Sequence, residues 1–398
     1  MDRLLASLEA AGIGAYEASF TALDTYRGLR PAPLRFILAE CGLVDLAKNL
    51  EALRYPGLPF ADAAIDSDEG DEESGGHSVS YIRCAESLHG AGRAALPPLD
   101  LLYDPRRDVF HDPQGIYPSL RSATAELRPA SPEDQLFQAS ILLSRQPYAL
   151  APGEPIPLPK AVTVESQRSL LYLILTGTNP AAGLELLRTT GFLDAYWPEL
   201  ARLHGVDQSK EYHPEGDAWS HTIETFAHRK LPSLRLSLAL LLHDAGKPQS
   251  ESAEGRRFDR HAEIGTRIAE RFMARLEFPR ALVDDVSFLV RYHMLPAALP
   301  RLPMSRLEGI VDDPRFPILL ELYKCDELST FRGPDGYYEA CAAYRAYLKH
   351  RRNPWRADDG RKLARRYLEE APRSGAPTRA GAAPRPAQAS RRRAPGPR

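Results

Sequence analysis

The sequence predicts a mainly α protein: a small α/β region, then a helical neck, then an all-helical domain. Three observations predict it. From residue 166 onward apolar residues recur at helical spacing almost without a break. Strand-like runs, at 79–84 and 99–103, are confined to the first third. A proline-rich break at 152–159 separates the two regimes. The boundaries that follow are 1–150 for the α/β region, 160–205 for the neck, 206–350 for the helical domain and 371–398 for a basic, disordered tail.

Each element has its local reason. Within 1–55, Leu4, Leu5, Leu8 and Ile13, then Leu34, Phe36, Ile37, Leu43 and Leu46, fall at helical spacing and are read as scaffold helices. Between Pro56 and Gly76 a Pro-Gly pair leads into the acidic, Gly/Ser-rich run from Asp66 to Glu73, read as a solvated loop. The turn-rich Asp112-Pro-Gln-Gly115 follows the second strand-like run. From Pro132 the pattern turns helical through Leu136, Phe137, Ile141 and Leu142, and helices resume at 166–175, 181–190 and 193–203, with Gly177 and Gly191 as stops. The tail mixes Pro, Ala, Gly and Arg without acids and cannot bury enough apolar surface to fold alone.

Composition narrows the function classes. A chain of 398 residues exceeds what one core usually supports, and a net charge of −2 argues against a general polyanion binder. The four cysteines, Cys41, Cys84, Cys325 and Cys341, form no C-x-x-C pair, as expected of reduced thiols in a cytoplasm. The longest apolar run, 236–242, is too short to span a bilayer, so no membrane partner is expected.

The chemistry concentrates between His213 and Asp326. Apolar residues at Leu282, Val286, Leu289 and Val290 form a stripe whose continuation lands on His293. Ile264, Ile268 and Phe272 project back onto His261 by the same spacing. A helix through Ile318, Leu319, Leu322 and Tyr323 puts Asp326 on its apolar side, and an apolar helix from 234 ends in His243-Asp244. Burying an unpaired carboxylate costs several kcal/mol, so Asp244 and Asp326 need a strong partner. A cation ringed by imidazoles supplies one. Imidazole and carboxylate ligands without thiolate point to a hydrolytic rather than a structural centre, and they accept manganese, iron, nickel, cobalt or zinc, as one or two ions.

The order His221, His243-Asp244, His261, His293, Asp326 resembles the HD superfamily of metal-dependent phosphohydrolases, an all-helical fold. More narrowly, Gly183-Leu-Glu-Leu-Leu187, Gly191-Phe-Leu, Trp197-Pro-Glu-Leu200, His213-Pro-Glu-Gly-Asp217 and Trp219-Ser-His221 look like the helical region and HD domain of bacterial tRNA nucleotidyltransferases and poly(A) polymerases, over about 165–330. The resemblance implies His221, His243, Asp244 and Asp326 as core metal ligands. It adds His261 and His293 for a second ion bridged by Asp244, and Lys247 facing a substrate phosphate. Asp244 and Lys247 then carry catalysis, His213 stands behind the ligands, and the substrate is a nucleotide or an RNA end, tRNA included.

Extended upstream, the same resemblance implies that 1–150 is a nucleotidyltransferase head. Leu99-Asp-Leu-Leu-Tyr103, Asp112-Pro-Gln-Gly115 and Leu120-Arg121 fit that head. Its Gly-x-x-Arg-Asp turn is missing, the Asp66-Ser-Asp68 match to its metal-binding Asp-x-Asp falls in the acidic run, and Glu133-Asp134-Gln-Leu-Phe137 carries phenylalanine where arginine would read the base. The expectation is therefore a phosphohydrolase on a degenerate head, with nucleotidyl transfer not expected. The rivals are a tRNA nucleotidyltransferase or poly(A) polymerase with an unusual head, and a non-catalytic RNA-binding scaffold.

Overall fold

The computed structural model describes residues 3–29, 34–67, 78–90, 94–206, 216–250, 260–303, 306–330 and 333–351. His213, Asp68 and the tail from 371 lie outside the described residues. The chain divides into a compact unit, Met1–Arg345, and a second unit from Ala346 on, of which the described part is the end of one helix.

The first region is α/β. In chain order it runs α1 (Arg3–Ala10), β1 (Ala15–Ala18), α2 (Ser19–Tyr26), β2 (Leu34–Ala39), α3 (Leu43–Asn49), β3 (Ala63–Ser67), β4 (Ser78–Cys84), a 3₁₀ turn (Pro97–Asp100), β5 (Leu102–Asp104), β6 (Val109–His111), α4 (Tyr117–Ser122) and β7 (Thr124–Ala125). The sheet order is β3-β4-β2-β1-β5-β6, with β2 and β4 parallel in the register Ala39↔Cys84 and the remaining pairs antiparallel. Leu5 and Leu8 of α1, Leu46 of α3, and Ile37 and Ile82 of the central strands share one core.

Two sequence expectations change here. Leu34, Phe36 and Ile37, read as helical, form central strand β2, which is buried on both faces and so shows no period-two alternation. Part of the expected loop is strand β3, so Asp66 sits on a strand, exposed and paired with Arg54 at 2.9 Å.

Helix α5 (Pro132–Arg145) begins with a complete start signal: Ser131 Oγ accepts from Asp134 N–H at 3.0 Å, Pro132 leads, and Glu133 and Asp134 face the positive helix end. Strand β8 (Ala149–Leu150) pairs with β7, and then come α6 (Val164–Leu175), α7 (Pro180–Thr189), α8 (Phe192–Tyr196) and α9 (Pro198–Ala201). Side-chain bonds tie β4 to α6, α6 to the end of α8, and α2 to α5. Tyr81 OH donates to Ser169 Oγ at 2.8 Å, Trp197 Nε1–H donates to Gln167 Oε1 at 3.0 Å, and buried Asp24 pairs with Arg145.

Every further regular element is helical: α10 (Ala218–Thr225), α11 (Leu234–Leu242), α12 (Lys247–Ser250), α13 (His261–Arg275), α14 (Arg280–Tyr292), α15 (Leu295–Ala298), α16 (Glu308–Val311), α17 (Phe316–Leu328) and α18 (Asp335–Arg351), with 3₁₀ turns at Phe226–His228 and Leu299–Arg301. Asp217 caps α10 by accepting from Ser220 N–H at 2.9 Å. The apolar α11 is buried along its length, packed against α14 and α17. Among the described residues no helix is long and apolar enough to cross a membrane.

Candidate metal centre

Helices α10, α13 and α17 and the ends of α11 and α14 converge on one buried cluster. His221 comes from α10, His243 and Asp244 from the end of α11, His261 from the first position of α13, His293 from the end of α14, and Asp326 from α17. His221, His243, Asp244 and His293 are each 1% exposed and His261 is 9% exposed. The five residues placed by the apolar pattern, His243, Asp244, His261, His293 and Asp326, lie together with His221, which the resemblance supplied.

Two donor sets share a carboxylate. His221, His243 and Asp244 form one, and Asp244, His261 and His293 the other, with the donor atoms of each set within 4.8 Å of one another. Asp244 Oδ2 lies 3.2 Å from His243 Nε2 and 3.8 Å from His221 Nε2, whereas Oδ1 lies 3.7 Å from His261 Nε2. One carboxylate thus faces two sides. Asp326 Oδ1 is 2.9 Å from His221 Nε2 and 3.9 Å from His243 Nε2, so it closes the first set.

The imidazoles are oriented for ligation. His243 Nδ1 lies 2.7 Å from the Leu240 carbonyl and His293 Nδ1 lies 2.8 Å from the Val290 carbonyl. A ring that donates there turns its Nε2 lone pair inward. His221 Nδ1 is held by Ser329 Oγ at 3.1 Å. His261 Nε2 and His293 Nε2 stand 3.1 Å apart. His243 Nε2 and Asp244 Oδ2 are buried without an aligned hydrogen-bond partner among the described residues. An imidazole nitrogen without a partner, facing a carboxylate oxygen whose close counter-charge is Lys247, fits a divalent cation.

The electrostatics agree. Burial alone would raise the pKa of Asp244, yet His243 and Lys247 beside it hold the carboxyl well below the usual range. Asp326 is likewise held down against burial, chiefly by its hydrogen bond to His221. Burial, helped by neighbouring His243 and His261, pushes His293 down to about 4, so its ring is neutral and able to ligate at pH 7. Lys247 is buried with Nζ 2.6 Å from Asp244 Oδ2, making it the counter-charge of the bridging carboxylate.

A close backbone contact sets the spacing. A Cβ at Gly246 would lie 2.0 Å from the His261 carbonyl oxygen and 2.6 Å from Gly265 N. Only glycine lets the His-Asp segment touch α13 and bring His261 to Asp244. Of the other histidines, His204 is exposed near Asp217 at 3.9 Å, and His228 is half-buried near Glu224 at 3.7 Å; neither joins the cluster.

The head holds residues that the sequence reading missed. A cavity of about 160 Å³ is lined by Asp62, Arg83, Asp134 and Gln138, and Arg83 and Gln138 also line a second cavity with Asp100. Asp62 Oδ2 accepts from Cys84 N–H at 2.8 Å, and Gln138 Oε1 accepts from Ala95 N–H at 2.9 Å. Phe137 is fully buried, edge-on to Phe192 at 6.2 Å, so it belongs to the neck core, while its neighbour Gln138 faces the cavity.

The HD domain family model matches residues 219–313, the stretch that carries most of this cluster, so that part of the chain is similar to an HD domain. Among curated proteins, the chain is 35% identical over 199 residues to a CC-adding tRNA nucleotidyltransferase of Thermus thermophilus, covering 46% of this chain and 44% of that one. It is 37% identical over 139 residues to a multifunctional CCA protein of Halorhodospira halophila, covering 34% and 32%. The matched stretch thus spans less than half the length of each of these relatives. The fold as a whole is that of the Bacillus stearothermophilus CCA-adding enzyme solved in complex with CTP, with TM-score 0.50, 16% identity, and 86% of this chain and 81% of that one covered. These findings overturn the expectation that nucleotidyl transfer is absent, because the relative matched at 35% identity is a CC-adding tRNA nucleotidyltransferase.

Proposed function

We propose that the protein acts in nucleotidyl transfer at the 3′ end of tRNA in the cytoplasm, with its HD domain holding one or two divalent transition-metal ions. The observation that carries this reading is the 35% identity over 199 residues to a CC-adding tRNA nucleotidyltransferase. The head supports it with a cavity pairing a cation, Arg83, with the carboxylates Asp62 and Asp134. Arg83 would meet the nucleotide phosphates. Asp62 and Asp134 would hold the attacking end or the magnesium that accompanies the nucleotide. Incubation of the purified chain with tRNA lacking its 3′-terminal nucleotides, magnesium and labelled CTP or ATP should extend the tRNA, and Arg83→Ala should abolish extension. Absence of extension by the wild type overturns the reading.

The buried donor cluster favours a second, accompanying activity at the HD centre, cleavage of a phosphate ester. His221, His243, Asp244 and Asp326 would hold one ion, with His261 and His293 taking a second across Asp244. A bound ion supplies a water of lowered pKa and polarises phosphoryl oxygen. Lys247 balances the charge on Asp244. Opening of a cyclic nucleotide to its nucleoside monophosphate, or release of phosphate from an aryl phosphate monoester, with manganese, nickel or cobalt should vanish in His243→Ala; equal rates in the two proteins sink this assignment.

A further inference from the structure

On the neck side of the HD domain lies a cavity of about 440 Å³, lined by Glu199, Arg202, Ala245, Pro248, Gln249, Ile268, Arg271 and Arg275. It is separate from both cavities of the head and contains none of the six clustered donor residues. Its floor is apolar, with Ala245 2% exposed and Ile268 4% exposed, and its walls are arginine. Arg275 is held in place, donating to Glu199 Oε2 at 2.7 Å and to the Tyr196 carbonyl at 3.0 Å, with its guanidinium 5.4 Å from the Phe272 ring centroid. Arg271 spends Nε on the Arg267 carbonyl at 3.2 Å and leaves its terminal nitrogens uncommitted, and Arg202 is unpaired, among the described residues.

The wall therefore carries three guanidinium groups against one carboxylate, a local excess of two positive charges in a chain whose net charge is −2. Planar guanidinium forks match the oxygens of a phosphate, and a concave wall concentrates their field. The volume suits a ligand of nucleotide size.

We propose that this cavity is a phosphate-binding subsite, in which Arg202 and Arg271 grip the anion while Arg275, steadied by Glu199, completes the field. Its ligand is a phosphate group, carried by an RNA backbone or by a free nucleotide; the RNA source rests on the tRNA reading above. Ala245, Pro248 and Gln249 belong to the segment that carries His243, Asp244 and Lys247, so an anion seated here touches the same stretch of chain that builds the metal centre.

The test compares the wild-type full chain with Arg202→Gln/Arg271→Gln, both exposed positions, with circular dichroism melting to show that the variant is folded. Binding of tRNA, of ATP and of inorganic phosphate is measured across a salt series. An RNA source is shown by roughly tenfold weaker tRNA binding and a log–log salt slope shallower by about one to two, as expected for one or two lost phosphate contacts, with ATP binding unchanged. A nucleotide source is shown by the same loss for ATP and phosphate with tRNA binding unchanged. If a folded variant binds all three as the wild type does, the subsite does not exist; should the glutamine variant fail to fold, Arg202→Lys/Arg271→Lys, which keeps the charge but loses the fork, must weaken binding severalfold or the proposal falls. Binding is read without turnover, so a chain that extends no tRNA yet shows these losses overturns the transfer reading and leaves the subsite standing.

Discussion

Gly246→Ala tests how the metal centre is spaced. The added methyl would lie 2.0 Å from the His261 carbonyl oxygen, 2.6 Å from Gly265 N and 2.9 Å from the His261 carbonyl carbon, all backbone atoms that cannot rotate aside. Ordinary contact begins at 3.4 Å, so α13 must withdraw by about 1.4 Å from the His-Asp segment. Overpacking of this kind costs about 3 kcal/mol, which in a unit of this size lowers the melting temperature by about 4 °C. His261 Nε2, now 3.7 Å from Asp244 Oδ1, travels with α13. Metal ligands must hold their distances to about 0.2 Å, so the donor set of Asp244, His261 and His293 loses its ion while that of His221, His243 and Asp244 keeps its own. Gly265→Ala is the control, because its methyl meets nothing nearer than 3.3 Å and needs a shift of a few tenths of an ångström. Differential scanning fluorimetry and elemental analysis of both variants decide the matter. If Gly246→Ala melts within about 1 °C of the wild type and carries the same metal content, the argument that glycine sets the ligand spacing is wrong.

Two further outcomes follow from the electrostatics. Hydrogen bonding to Arg106, at 2.8 Å, lowers the pKa of Asp104, so the folded state keeps a carboxylate charged where the unfolded chain binds a proton. The stability from that pair is present above the unfolded value of about 3.9 and is lost as pH falls through the lower folded value. The stability gap between wild type and Asp104→Asn in urea melts should therefore be constant at neutral pH and close in acid; a gap independent of pH down to 2 refutes it. Ions bound only by the folded state raise the melting temperature, so manganese at about a hundred times its dissociation constant adds about 2.7 kcal/mol. Asp244→Asn should abolish that response, and an undiminished manganese shift would remove Asp244 from the centre.

The HD centre was legible in the sequence because helical periodicity says which way a side chain points. His293 extends the stripe of Leu282, Val286, Leu289 and Val290, and the structure buries it with Nδ1 beside the Val290 carbonyl. The head was less legible for the same physical reason. Strand β2 lies between β1 and β4, is covered on both faces, and reads Leu-Arg-Phe-Ile-Leu-Ala, an apolar run whose spacing suits a helix as well as a strand. Strand β3 is hidden by the acidic residues that follow it. Arg83, Asp62 and Gln138 meet only through tertiary folding, since they come from β4, the approach to β3 and α5. Gly246 gave no local signal either, because the backbone it touches lies at residue 261.

The segment from His243 to Lys247 does four things at once, and this shapes how the centre takes up a cation. It supplies one imidazole, the shared carboxylate, the glycine that sets the distance to α13 and the ammonium that neutralises the carboxylate. Two carboxylates, Asp244 and Asp326, and one ammonium, Lys247, meet in the buried group beside a His293 ring that burial keeps neutral. Lys247 pairs with Oδ2, the oxygen that faces His243 and His221, whereas Oδ1 faces His261. A cation entering between His221 and His243 must therefore compete with Lys247 for its carboxylate oxygen, and one entering beside His261 need not. The two sides of the shared carboxylate thus differ in the charges beside them, although all three histidines approach the same aspartate at 3.2–3.8 Å.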